Sequence, residues 1–257
     1  MQKTICLLFA AICHQLLVVA QEVHIYNEEA PEMQLVWMRL ADFTPKLRAV
    51  ESAELSPDGR LAVSGSKFGY KVMLWNVADG RLLWEREHDS EVECVTFSPD
   101  SKLVASGGED VYVRIWDAAT GDELKKWEHP SGLDGIARSH NGKIIASGSE
   151  DGHAFFWDGE TYALIGKIKV GSAINSLAFT MDDHRIVVGG NNQTKNADGS
   201  TNYTGFVKLL DVEKMEELRS FGMHKASIES VRFSADETMI GCAGFDKKAK
   251  LLMLHRV

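Results

Sequence analysis

A chain of 257 residues that is 44% hydrophobic and 25% charged is long enough to bury a core of its own and too apolar to stay disordered. Its formal net charge of −9 is spread along the sequence, without the clustered positive surface by which general nucleic-acid binders hold phosphates, so no nucleic-acid partner is expected.

The first twenty residues stand apart. Lys3 supplies a positive start, Ile5 to Val19 is apolar except at His14 and Gln15, and Val18-Val19-Ala20 offers small residues ahead of Gln21. That order reads as a signal peptide over residues 1–20, leaving a single domain over 21–257 in a periplasmic or extracellular setting. The apolar stretch is shorter than the roughly 20 residues of a spanning helix, and polar residues break it, so no stable membrane insertion is expected after cleavage. Cleavage would leave Cys94 and Cys242, each inside an apolar strand pattern, as buried free thiols. With no Cys-x-x-Cys-His and no zinc-like cluster, neither a metal nor a cofactor is expected.

Val23 to Asn27 aligns with Val113 to Asp117, and residues 33–40 resemble the outer strand that follows such a segment. A polar connection containing Pro45, Lys46 and Arg48 then leads to a first complete copy of four short strands, ending at Arg81-Leu82-Leu83-Trp84. Its first hairpin is signalled by Asp58-Gly59, because glycine takes positive φ without steric penalty. The second copy, from His88 to Trp127, is the best preserved. The third carries Gly132, Gly135 and Arg138 in its innermost strand, where apolar residues are expected, so the sequence predicts loose packing there. The fourth contains an inserted polar loop over residues 191–204, apolar only at Ala197 and Tyr203. Loops on a rigid scaffold commonly carry contacts, which makes Asn191, Asn192, Lys195, Asn196, Asp198, Asn202 and Tyr203 candidate interaction residues; a hairpin extension without a partner is the alternative. Asn202-Tyr203-Thr204 is also a glycosylation sequon, usable in a eukaryotic source. A fifth copy runs from Ile228 to Leu254.

The copies share a 41-residue step, at which Trp75, Trp116 and Trp157 recur, followed by Asn76, Asp117 and Asp158. Together with Ser98-Pro99-Asp100, Ala105 to Asp110 and Val113 to Asp117, this step resembles the WD-repeat family. The resemblance implies an all-β fold, a β-propeller of about five four-stranded antiparallel blades. It also implies closure by an N-terminal strand, here residues 33–40, or membership of a larger propeller.

His88, Ser106 and Asp110 look like a hydrolase triad, but His129, Ser147 and Asp151 repeat it one step later. An enzyme needs one such site. The resemblance implies instead a structural hydrogen-bond network in each blade: His88, Ser106, Asp110 and Trp116 in the second copy, and His129, Ser147, Asp151 and Trp157 in the third. No catalytic residue is assigned, and the expected function is a non-catalytic scaffold for a protein or peptide partner. The alternative is a glycoside hydrolase using acidic residues near the axis, for which Glu54, Glu93 and Glu229 lie in or beside first strands.

Overall fold

The computed structural model describes residues 49–254, apart from the side chains of residues 222 and 223. The signal segment 1–20 and the closing strand at 33–40 expected from sequence lie outside the described residues. Among these, all regular structure is strand, arranged as four four-stranded antiparallel sheets and one of three strands.

The first sheet, or blade, contains β1 (Val50–Leu55), β2 (Leu61–Ser66), β3 (Lys71–Asn76) and β4 (Leu82–Glu87). The second contains β5 (Val92–Phe97), β6 (Leu103–Gly108), β7 (Tyr112–Asp117) and β8 (Glu123–Glu128). The third is β9 (Leu133–Arg138), β10 (Ile144–Ser149), β11 (His153–Asp158) and β12 (Leu164–Lys169). The fourth is β13 (Ala173–Phe179), β14 (Arg185–Lys195), β15 (Thr201–Asp211) and β16 (Glu216–His224), and the fifth is β17 (Ile228–Phe233), β18 (Met239–Gly244) and β19 (Lys248–Met253).

The first hairpin of every blade is built the same way. In blade one Ser56 Oγ donates to Asp58 Oδ1 at 2.6 Å and accepts from the amide of Leu61 at 2.9 Å, while Asp58 Oδ1 also accepts from the Arg60 amide. Ser98 with Asp100, Ser139 with Asn141, Thr180 with Asp182 and Ser234 with Asp236 repeat it. Short polar side chains of this kind close turns by substituting for backbone partners. The turn needs positive φ at one position, which Gly59 fills at 72° and Gly142 at 74°, whereas Ser101, Asp183 and Glu237 take it as non-glycine residues.

Alternation along the strands gives blades two, three and four two buried faces among the described residues. Val113 and Ile115 of β7 pack with Leu133, Ile145 and Phe155 of blade three, whereas Trp116 packs backward with Val72 and Leu74 of blade one. Equivalent clusters lie between blades three and four, around Phe156, Ile174 and Leu210, and between four and five, around Val187, Leu209 and Ile240. A single blade would leave both such faces exposed, so stability is shared between neighbours. Polar ties join successive inner strands as well. The Val95 amide donates to Ser52 Oγ at 3.2 Å, the Phe97 amide donates to Glu54 Oε1 at 3.2 Å, and the Val231 amide donates to Ser176 Oγ at 3.1 Å.

Two sequence expectations are corrected. Strand β9 is well packed: Leu133 is fully buried, Ile136 is nearly so, and a Cβ at Gly135 would lie 2.7 Å from Leu177 Cδ1 and 3.1 Å from Asn175 O. Glycine stands there because blade four already occupies the space. The segment over 191–204 is not a loop inserted between strands. Strands β14 and β15 run on past the blade in unbroken register, from Asn192 opposite Thr204 to Lys195 opposite Thr201, and turn at Asn196 to Ser200.

Candidate functional site

Two features depart from plain packing: the polar clusters inside the blades and the hairpin that projects from blade four. In blade two, Trp116 Nε1 donates to Ser106 Oγ at 2.7 Å. Ser106 Oγ lies 2.8 Å from His88 Nε2, and His88 Nδ1 lies 3.1 Å from Asp110 Oδ2. An indole can only donate, so the serine hydroxyl passes its hydrogen to His88 Nε2, and Nδ1–H faces the carboxylate. Arg114 closes the chain, donating from Nη2 to Asp110 at 2.8 Å and from Nη1 to Glu123 at 3.0 Å. Burial alone would raise the Asp110 carboxyl, but the hydrogen bonds from His88 and Arg114 outweigh it and hold it well below the usual carboxylate range. Ser106 is fully buried, and both sides of its hydroxyl are engaged, so the resemblance to a triad ends at residue identity.

Blade three keeps three of the four members. Trp157 Nε1 donates to Ser147 Oγ at 2.9 Å, and Ser147 Oγ lies 3.1 Å from His129 Nε2. Asp151 does not join them, which corrects the sequence reading. His129 Nδ1 lies 3.1 Å from the Ser131 carbonyl, while Asp151 takes the His153 amide at 3.0 Å and lies 3.1 Å from His153 Nδ1. In blade two Arg114 bonds the aspartate. In blade three Phe155 occupies that position and packs edge-on against His129 with ring centres 4.4 Å apart. Burial pushes His129 down to about 4, so it is neutral at pH 7.

The other blades keep fragments. Trp75 Nε1 donates to Ser64 Oγ at 3.0 Å in blade one. Val188 and Leu210 stand at the serine and tryptophan positions in blade four. In blade five His224 and Asp246 remain paired, with Cys242 at the serine position.

The three acidic residues considered for hydrolysis have separate partners. Glu54 accepts from Thr96 and Phe97, Glu93 lies 3.7 Å from Lys67 Nζ, and Glu229 accepts from Asn175 Nδ2 at 2.9 Å. A different acidic group is brought together by the fold. Oxygens of Glu109, Asp134 and Glu150 lie within 4.8 Å of one another, a spacing compatible with cation ligands. Burial, followed by the charges of Glu150 and Glu109, pushes Asp134 up to about 7. Nothing in the sequence marked this group except that Glu109 and Glu150 each precede the aspartate of their repeat.

On the projecting hairpin Asn192, Lys195, Asn196, Asp198, Asn202 and Tyr203 are all exposed. Asn191 is not one of them: it is buried at the hairpin's base, where its Nδ2 donates to Ser227 Oγ at 3.3 Å. Gly199, at φ 84°, closes the tip.

These repeated blades, with histidine, serine and tryptophan clusters in the second and third, are WD repeats. The family described as WD domain, G-beta repeat matches residues 80–117, 121–158 and 215–251. The matches take in β4 of blade one and β16 of blade four, and the other strands of those two blades lie outside them. Among similar proteins, Telomerase protein component 1 of Rattus norvegicus is 40% identical over 53 residues, 21% of this chain and 2% of that protein. Small ribosomal subunit protein RACK1z of Arabidopsis thaliana is 37% identical over 60 residues, 23% of this chain and 18% of its own length. Small ribosomal subunit protein RACK1 of Brassica napus is 35% identical over 60 residues, again 18% of its length. The chain therefore spans less than a fifth of each of these relatives.

Proposed function

We propose that this protein is an exported, non-catalytic WD-repeat scaffold that binds a protein or peptide, with the blade-four hairpin as its main contact surface. The observation that carries this reading is the hairpin itself. Residues 192–204 extend a rigid blade by a self-paired ribbon whose side chains are exposed and bury little. Such a ribbon adds nothing evident to the core and presents amides, a lysine, an aspartate and Tyr203 on a fixed base. Tyrosine supplies contact area at low entropic cost, as in many binding loops. The WD repeats support a scaffold role by likeness to the family, and the composition of residues 1–20 supports export.

The reading is tested by placing a photo-crosslinking amino acid at Tyr203, and separately at Leu124 on an outer strand, in the full chain expressed in its native cells. Discrete adducts at position 203, absent at 124, and a mature N-terminus at Gln21 are the expected results. Adducts of equal yield at both positions would contradict the hairpin as the contact, and retention of residues 1–20 would contradict export.

A further inference from the structure

Both cysteines of the described residues are free and buried, but their surroundings differ chemically. Cys94 Sγ meets only carbonyl acceptors, Gly107 O at 3.5 Å and Leu133 O at 3.9 Å. Cys242 occupies the place that Ser106 holds in blade two, and its Sγ lies 3.4 Å from His224 Nε2. His224 Nδ1 lies 2.8 Å from Asp246 Oδ1, and Asp246 is held in turn by the amides of Lys225 at 3.1 Å and Lys248 at 3.2 Å. With Leu252 at the tryptophan position, no indole donates to the sulfur. The thiol has two acceptors, the Lys250 carbonyl at 3.7 Å and the nearer imidazole nitrogen, which is backed by a carboxylate, the arrangement that turns a thiol into a nucleophile.

Access differs too. Among the described residues, Cys242 lines a cleft of about 580 Å³ together with Ser230, Arg232, Gly241, Ala249 and Leu251. The turn after β18 carries Phe245, which is 52% exposed.

We propose that Cys242 is a peroxide-reactive thiol, with His224 as its base and Asp246 as the positioning residue. In the step inferred, His224 Nε2 takes the thiol proton and the thiolate attacks one oxygen of hydrogen peroxide. An S–O bond forms as the O–O bond breaks, and the departing hydroxide recovers the proton from His224 as water. Sulfur is oxidised by two electrons to the sulfenic acid, and the peroxide is reduced. Burial raises the Cys242 thiol, so its resting form is the neutral thiol and the thiolate arises within the pair.

The test treats the full chain with hydrogen peroxide in the presence of dimedone, which traps sulfenic acids, and quantifies each cysteine by peptide mass spectrometry. Cys242 is expected to label on the order of ten-fold faster than Cys94 in the folded protein and at a similar rate to it in urea. Asp246→Asn should slow Cys242 by about ten-fold and leave Cys94 unchanged. A purely structural role for Asp246 gives the opposite sign, because a loosened turn exposes the thiol and speeds labelling. His224→Gln, read the same way, is an independent arm. Equal native rates for the two cysteines, or unchanged or faster labelling in the variants, would overturn the proposal.

Discussion

At the scale of single residues, the blade-two relay is a set of partners that satisfy one another out of water. Removing one member leaves the rest in place and unsatisfied, and that penalty exceeds the net value of the bond itself. Asp110→Asn is therefore expected to destabilise the fold by about 1–3 kcal/mol, read from chemical denaturation. Because its partners hold the Asp110 carboxyl below its unfolded value, the contribution of its charge is present above about pH 4 and disappears as pH falls through the folded value. The gap between wild type and variant should narrow accordingly in acid.

His129 gives a second dependence, in a higher window. Its folded value of about 4 lies below the unfolded value, so between these the unfolded chain binds the extra proton and stability falls as pH falls. From pH 7 to pH 5 this group should cost on the order of 2 kcal/mol, a dependence that His129→Gln removes. The residue types of both networks were readable from the repeat step. The defection of Asp151 was not, because it depends on where the Ser131 carbonyl and the His153 ring lie in space.

At the scale of the element, the strands and their first hairpins were legible because local chemistry determines them: alternating apolar residues, then a serine or threonine followed two residues later by aspartate or asparagine. Packing between blades is a different matter. Gly135 looked like a weakness when its strand was read alone, yet it fits against Leu177 from the next blade. Gly135→Ala should destabilise by roughly 1–3 kcal/mol through overpacking, whereas a strand that was loosely packed would gain stability from losing a glycine. Thermal melting of this one variant separates the two cases by sign. The blade-four segment read as either an inserted loop or a hairpin extension for a related reason. Its polar residues carry no alternating pattern, since neither face is buried, so the unbroken register from Asn192 to Lys195 had no signature in hydrophobicity.

At the scale of the whole molecule, the inner strands follow one another in chain order, and each junction between blades holds its own buried cluster. The acidic group of Glu109, Asp134 and Glu150 exists only at this scale, since it draws from two blades. The repeat scaffold also allows residues 192–204 to be cut back to an Asn-Gly turn without touching any of those clusters. The melting temperature of that shortened chain should stay within about 2 °C of the original, an interval corresponding to about 0.5–1 kcal/mol.

A stiff series of polar-tied blades thus carries a hairpin that the fold itself does not need. Hydrogen exchange of the full chain, resolved by peptide, is the decisive measurement. Exchange should be slowest in β6, β7, β10 and β11, residues 205–211 at the hairpin's base should be protected, and residues 192–204 should exchange fast. Protection of the projecting segment in the isolated protein equal to that of β6 and β7, or rapid exchange in blades two and three, would contradict it.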